Sequence, residues 1–86
     1  MVDGAYALDP RVAIRPEPFG ALAYHYGNRR LTFLRSSELV DLVRDLEHHD
    51  DVDSALAASP IDPAKWDAYR QALASLEASE VIRARR

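Results

Sequence analysis

Cysteine is absent from these 86 residues, which excludes disulfides, thiolate zinc sites, iron–sulfur ligation and thiol catalysis. A reducing cytoplasm suits such a chain. Long apolar runs are also missing: no stretch approaches the ~18 consecutive apolar residues that would span a bilayer. Met1 to Asp9 has neither a basic start nor an apolar core. The chain is therefore expected to be soluble, cytoplasmic, unattached to membranes and not exported by a standard signal. Internal repeats and low-complexity segments are lacking as well. At this length residues 1–86 form a single domain with one core.

Histidine is scarce, and the three present are poorly arranged for chemistry. His48 and His49 are adjacent, so on a helix they point about 100° apart and cannot chelate together. His25 falls on the expected solvent face of a strand. Asp50, Asp51 and Asp53 look superficially like a calcium loop but lack the turn Gly and the closing bidentate Glu, and read better as a solvated turn with helix-capping carboxylates. No nucleophile stands in a motif with a base. No cofactor, metal or catalytic residue is expected.

What is present is a lopsided charge distribution beneath a net charge of −3. Residues 1–35 hold five Arg against three acids, for +2; residues 36–82 hold Arg44, Lys65 and Arg70 against eleven acids, for −8; Arg83, Arg85 and Arg86 add +3. The front is basic and the body acidic.

The hydrophobic period divides the chain in the same way. Arg11 to Arg15 alternates as a strand that Pro16 ends, and Pro16 to Gly20 is a turn. Ala21 to Tyr26 and Arg29 to Arg35 flank Gly27-Asn28, a dipeptide suited to a two-residue hairpin. That register sets Tyr24 opposite Leu31 and Leu22 opposite Phe33. These four bulky residues are expected to face the core, with Ala21, Ala23, His25, Arg30, Thr32 and Leu34 facing solvent.

From Ser36, a plausible N-cap, Leu39, Leu42, Val43 and Leu46 follow helical spacing. A second helix fits Val52 to Ala58. A third starts at Asp62-Pro63 with the stripe Trp66, Tyr69, Leu73 and Leu76. Val81-Ile82 is open between a terminal strand and more helix. The fold class is α+β and winged-helix-like: a three-stranded antiparallel sheet followed by three helices.

That order raises nucleic-acid binding as the alternative function, with Pro63 to Ser79 in a groove and the tail on phosphates. The third helix carries only Lys65 and Arg70 against Asp67 and Glu77, and a body at −8 repels phosphates. The third strand is more telling. It is β-prone, bracketed by Arg29, Arg30 and Arg35, and lies at the edge of a simple meander. Arginines there either guard the edge or receive an incoming strand. If a peptide pairs there, proline at Thr32 is expected to cost a donor used by the peptide, and proline at Phe33 one used by the hairpin.

The run Arg15-Pro16-Glu17-Pro18-Phe19-Gly20-Ala21-Leu22-Ala23-Tyr24-His25-Tyr26-Gly27-Asn28-Arg29-Arg30-Leu31-Thr32-Phe33-Leu34-Arg35-Ser36 resembles the signature of the mycofactocin-system peptide chaperones. These are in turn similar to the small chaperone of pyrroloquinoline quinone biosynthesis. The likeness extends from about Tyr6 through the third helix. It departs at Glu80, where related chaperones often have Gly. The resemblance implies a non-enzymatic recognition domain for a ribosomally made precursor peptide. Such a domain binds the peptide by β-strand addition and presents it to a radical S-adenosylmethionine maturase that holds the iron–sulfur chemistry. It further implies peptide contacts at Arg30, Leu31, Thr32, Phe33, Leu34 and Arg35, and across a groove at Trp66, Tyr69, Arg70 and Leu73. Trp66 and Leu73 stand equally well as core.

Overall fold

A computed structural model describes residues 4–85. Met1 to Asp3, part of the stretch read for a signal, and Arg86 of the basic tail lie outside the described residues. Strands β1 (Tyr6–Leu8), β2 (Val12–Glu17), β3 (Gly20–His25) and β4 (Leu31–Leu34) precede helices α1 (Ser37–Asp45), α2 (Val52–Ala58) and α3 (Trp66–Ala78), and β5 (Ile82–Ala84) closes the chain. Single 3-10 turns at Leu46–His48 and Pro63–Lys65 extend α1 and lead into α3. The expected three-stranded antiparallel sheet is present in the order β2-β3-β4. A second, two-stranded sheet was not anticipated: β1 pairs with β5, Tyr6 opposite Ala84 and Leu8 opposite Ile82. The open question at Val81-Ile82 is thus settled as a strand.

The helices begin where the caps direct. Ser36 Oγ accepts the Leu39 N–H at 3.1 Å and Asp51 Oδ1 the Ser54 N–H at 2.7 Å. Asp62 accepts from Ala64, with Pro63 at the first helical position. Leu39, Leu42, Val43 and Leu46 are all buried, as their spacing requires. At the far end, Val81 N–H donates to Leu76 O and Glu80 N–H to Glu77 O, and Glu80 has φ 67°. This is a Schellman closure with its left-handed position filled by Glu instead of Gly.

The sheet departs from expectation in four places. Pro16 does not end β2, which runs on to Glu17; only Pro18 and Phe19 form the turn, and Glu17 pairs with Gly20. The β3–β4 connection is Tyr26 to Arg30, not two residues: Arg29 N–H donates to His25 O, and the left-handed residue is Arg29 (φ 62°). The predicted register still holds, with Leu22 opposite Phe33 and Tyr24 opposite Leu31.

The third and largest difference is that the faces are exchanged. Ala21, Ala23 and Leu34 are fully buried, whereas Leu31 and Phe33 are 62% and 58% exposed. The inner face is built from small residues, so the leucines and valines of the helices come close and fill the core volume themselves. The bulky set is left for the outside. The fourth correction is His25, which is buried instead of solvent-facing.

Candidate functional site

Backbone parity decides what β4 offers. His25 N–H donates to Arg30 O at 3.0 Å, and Tyr26 N–H to Arg11 O at 2.8 Å. With the register above, the odd residues of β3 bond toward β4 and the even ones toward β2. On β4, Thr32 and Leu34 therefore turn their N–H and C=O inward to β3, and Leu31 and Phe33 turn theirs out of the sheet. Among the described residues no turn, loop or cap bond reaches those outward groups. The expected effects of proline are thus interchanged: Thr32 serves the hairpin and Phe33 the open edge.

The opposite edge offers fewer donors. On β2 the outward positions are Val12, Ile14 and Pro16. Val12 N–H already donates to Asp9 O at 2.9 Å, and Pro16 has no N–H. That is why a proline sits inside a strand here, since its missing donor points where no partner strand lies.

The hairpin that presents β4 is pinned from within. His25 Nδ1 accepts the N–H groups of Gly27 at 2.9 Å and Asn28 at 3.0 Å. In the neutral ring the proton is then on Nε2, which stands 3.6 Å from Asp9 Oδ2. Asp9 in turn accepts from the Arg11 backbone at 2.9 Å and from its guanidinium at 3.2 Å. The Arg11 hydrogen bonds dominate over the burial that opposes them and hold the Asp9 carboxyl down at about 2. Asn28 also donates to Ser79 O at 3.4 Å, tying the turn to the end of α3.

Among the expected contacts, the structure groups Arg30, Leu31, Thr32, Phe33 and Arg35 along one edge. Tyr69 joins them from α3, its hydroxyl 3.4 Å from Ser36 Oγ just past β4. Others are placed elsewhere. Leu34 and Leu73 are fully buried and act as core. Trp66 is half-buried, with its indole N–H donating to Ile61 O at 3.1 Å. Arg70 is bonded to Asp53 and Asp67, and these contacts raise its pKa. By contrast Arg29, Arg30 and Arg35 form no ion pair among the described residues.

Phe19 belongs to the expected turn, and its ring meets Phe33 edge-on with centroids 5.8 Å apart. The two rings and Arg35 line an open cleft of about 460 Å³ beside β4. Behind it, Leu22, Tyr24, Tyr26 and Leu31 line a second hollow on the outer face of the sheet. The signal for Phe19 lay in the Pro18-Phe19-Gly20 run, which places an aromatic residue at a turn tip. No set of three or more metal-binding side chains is grouped among the described residues, and no helix among them is long and apolar enough to cross a membrane. Arg85 of the basic tail donates to the Glu47 and His49 carbonyls.

Comparison with known proteins gives a family. The profile of the Peptide chaperone MftB family matches residues 5–83. A protein named peptide chaperone MftB from Mycobacterium ulcerans is 42% identical over 80 residues, covering 93% of this chain and 73% of that one. Its namesakes from Mycobacterium tuberculosis and Mycolicibacterium smegmatis are 40% and 41% identical over 80 residues, with 93% of this chain and 73% and 78% of theirs covered. No solved structure matches.

Proposed function

This chain belongs to the MftB peptide chaperone family, and from that premise we propose that it binds the mycofactocin precursor peptide by strand addition and presents it to a radical S-adenosylmethionine maturase. The observation that carries the reading is the asymmetry of the sheet: β4 turns the backbone groups of Leu31 and Phe33 outward, while on the β2 edge Asp9 already takes the Val12 N–H and Pro16 has none, leaving Ile14 as its one outward donor. An extended peptide laid along β4 becomes a fourth strand. The chaperone carries out no chemistry of its own and works in the cytoplasm.

Magnitudes define what else the site must supply. Leu31 and Phe33 offer about four backbone hydrogen bonds at ~0.5 to 1.5 kcal/mol each, against ~2 to 5 kcal/mol or more for ordering the peptide. Backbone pairing roughly breaks even, so affinity comes from apolar peptide side chains at ~1.5 to 3 kcal/mol for each one well buried. The unpaired Arg29, Arg30 and Arg35 favour an acidic segment and speed its approach. Tyr69, with the exposed part of Trp66, borders the helix side of the added strand. The winged-helix-like order serves this purpose without nucleic acid, because Arg70 and Arg85 are already engaged by the protein.

The test is an amide-resolved titration with the precursor peptide. Leu31, Phe33 and Arg35 amides should shift most. Shifts centred on residues 37–45 would place the site on α1 and overturn the reading. Peptide mass should stay unchanged with chaperone alone and change when the maturase is added.

A further inference from the structure

The large apolar side chains exposed among the described residues are Phe19, Tyr26, Leu31 and Phe33, and all lie on or at the rim of the sheet face turned away from the helices. A natural sheet surface this rich in aromatics marks an interaction site. Phe19 is brought to that rim by its neighbour. Gly20 has φ 147°, and a side chain on it would lie 2.0 Å from the Leu34 carbonyl oxygen, so the end of β4 passes directly over the turn. The Phe19 ring is thereby set edge-on to Phe33, with interplanar angle 79°, and Arg35 bounds the other side of the cleft. At about 460 Å³ the cleft is within the ~300 to 1,000 Å³ of ordinary ligand pockets.

Strand addition determines what reaches this cleft. Residues opposite one another in paired strands share a face, whichever way the incoming strand runs. The peptide residue opposite Phe33 must therefore project onto the solvent face, beside the Phe33 and Phe19 rings. The residue two places along, opposite Arg35, projects to the same side. Arg35 has no acidic partner among the described residues.

We propose that Phe19, Phe33 and Arg35 form a side-chain subsite on the outer face of the sheet, which takes a bulky apolar residue of the bound peptide and a carboxylate two residues away. This rests on the strand-addition reading and adds a specificity element to it. The peptide is gripped on both faces of the extended sheet, and an apolar-x-acidic spacing defines what is accepted.

Anisotropy of the labelled precursor peptide tests this. Phe19 is 47% exposed and outside the core, so Phe19→Ala should leave the melting temperature nearly unchanged. It should raise Kd by ~5- to 20-fold, mainly through faster dissociation. Phe19→Leu should recover most of the loss. On the peptide, replacing the apolar residue by Ser should cost a similar factor in wild type and much less in Phe19→Ala; this coupling is readable even if the variant is less stable. An unchanged Kd in Phe19→Ala with binding lost in Phe33→Pro overturns the subsite and leaves strand addition standing. Unchanged binding in both overturns strand addition as well. If Phe19→Ala spares peptide affinity but slows modification by the maturase, or abolishes a chaperone dimer, the face docks a protein and the subsite is wrong.

Discussion

Gly20 and the carbonyl oxygen of Leu34 are so close that the smallest side chain would not fit between them. A Cβ on Gly20 would come within 2.0 Å of that oxygen and 2.9 Å of Ser36 N, both backbone atoms that cannot swing aside. Gly20→Ala should therefore destabilise the fold by on the order of 3 kcal/mol or more, or prevent folding. Gly4→Ala is the control. Its φ of 85° is also left-handed, but nothing lies within 4 Å, so only about 1 kcal/mol of backbone strain is expected. Equal denaturant midpoints for the two variants would show that the contact is not tight.

Glu80 gives the opposite sign. It occupies the left-handed closing position of α3 with φ 67°, where glycine has no steric cost. Glu80→Gly should raise stability by about 0.5 to 1 kcal/mol, visible as a higher melting temperature. Glu80→Ala, which keeps the Cβ, should not.

The contrast between these glycine positions reflects what sequence can convey. Caps and helical stripes were legible because they are local: Ser36, Asp51 and Asp62 each bond a backbone N–H two or three residues ahead. The hairpin register was legible because Gly27-Asn28 marks the centre of the hairpin, and pairing about that centre keeps the same partners whether the loop is short or long. The face of the sheet was not, because pattern alone assumes that the bulkier set turns inward. Here Ala21 and Ala23 make room for helices whose approach is a tertiary matter. The β1–β5 pair joins residues more than seventy positions apart, with strands of three residues each, too short for a periodic signal. The edge at Arg30 to Arg35 was visible from its arginines. The division of Leu34 and Leu73 into the core, and the entry of Phe19 into the site, required three dimensions.

The Asp9 carboxyl gives acid sensitivity with a definite sign. Its folded value of about 2 lies below the ordinary 3.8, so the native state binds fewer protons than the unfolded state as pH falls. The stabilisation is fully present above about pH 4 and is lost as pH drops from there through about 2. Asp9→Asn should be less stable than wild type at neutral pH, and the difference should shrink across that window. Melting curves at pH 6, 4, 3 and 2 decide it; a constant difference would show that the Arg11 pairing does not persist in solution. The effect is moderated because Arg11 is 56% exposed and its charge is screened.

Two proline substitutions separate folding from binding. Thr32 directs its N–H to β3, so Thr32→Pro should damage the hairpin and lower the melting temperature. Phe33 directs its N–H outward, so Phe33→Pro should fold but bind the precursor peptide at least ~10-fold more weakly, one hydrogen bond to the peptide being lost and the neighbouring ones misaligned. Thermal melts paired with peptide titration read both effects. The reverse pattern would invert the parity derived from His25 and Arg30.

The arginines that bracket β4 should act on rates more than on the final complex. Arg30 and Arg35 are exposed and form no ion pair among the described residues, whereas Arg70 is already neutralised by Asp53 and Asp67. An acidic peptide segment approaching this edge meets local positive charge in a protein whose net charge is −3. Each exposed pair contributes only ~0.2 to 1 kcal/mol, and screening sets in beyond about 10 Å at 0.1 M salt. Association in wild type should therefore slow as salt rises. Arg30→Glu with Arg35→Glu should slow it further at low salt and flatten or invert the dependence, with dissociation changed less than in Phe19→Ala. Arg70→Glu, a charge change of two units beside Asp53 and Asp67 and away from β4, should affect stability near α2 and leave the salt slope of association almost unchanged. Stopped-flow association rates between 20 mM and 500 mM salt distinguish the cases. A wild-type rate indifferent to salt would mean that these arginines only guard the edge against unwanted strands.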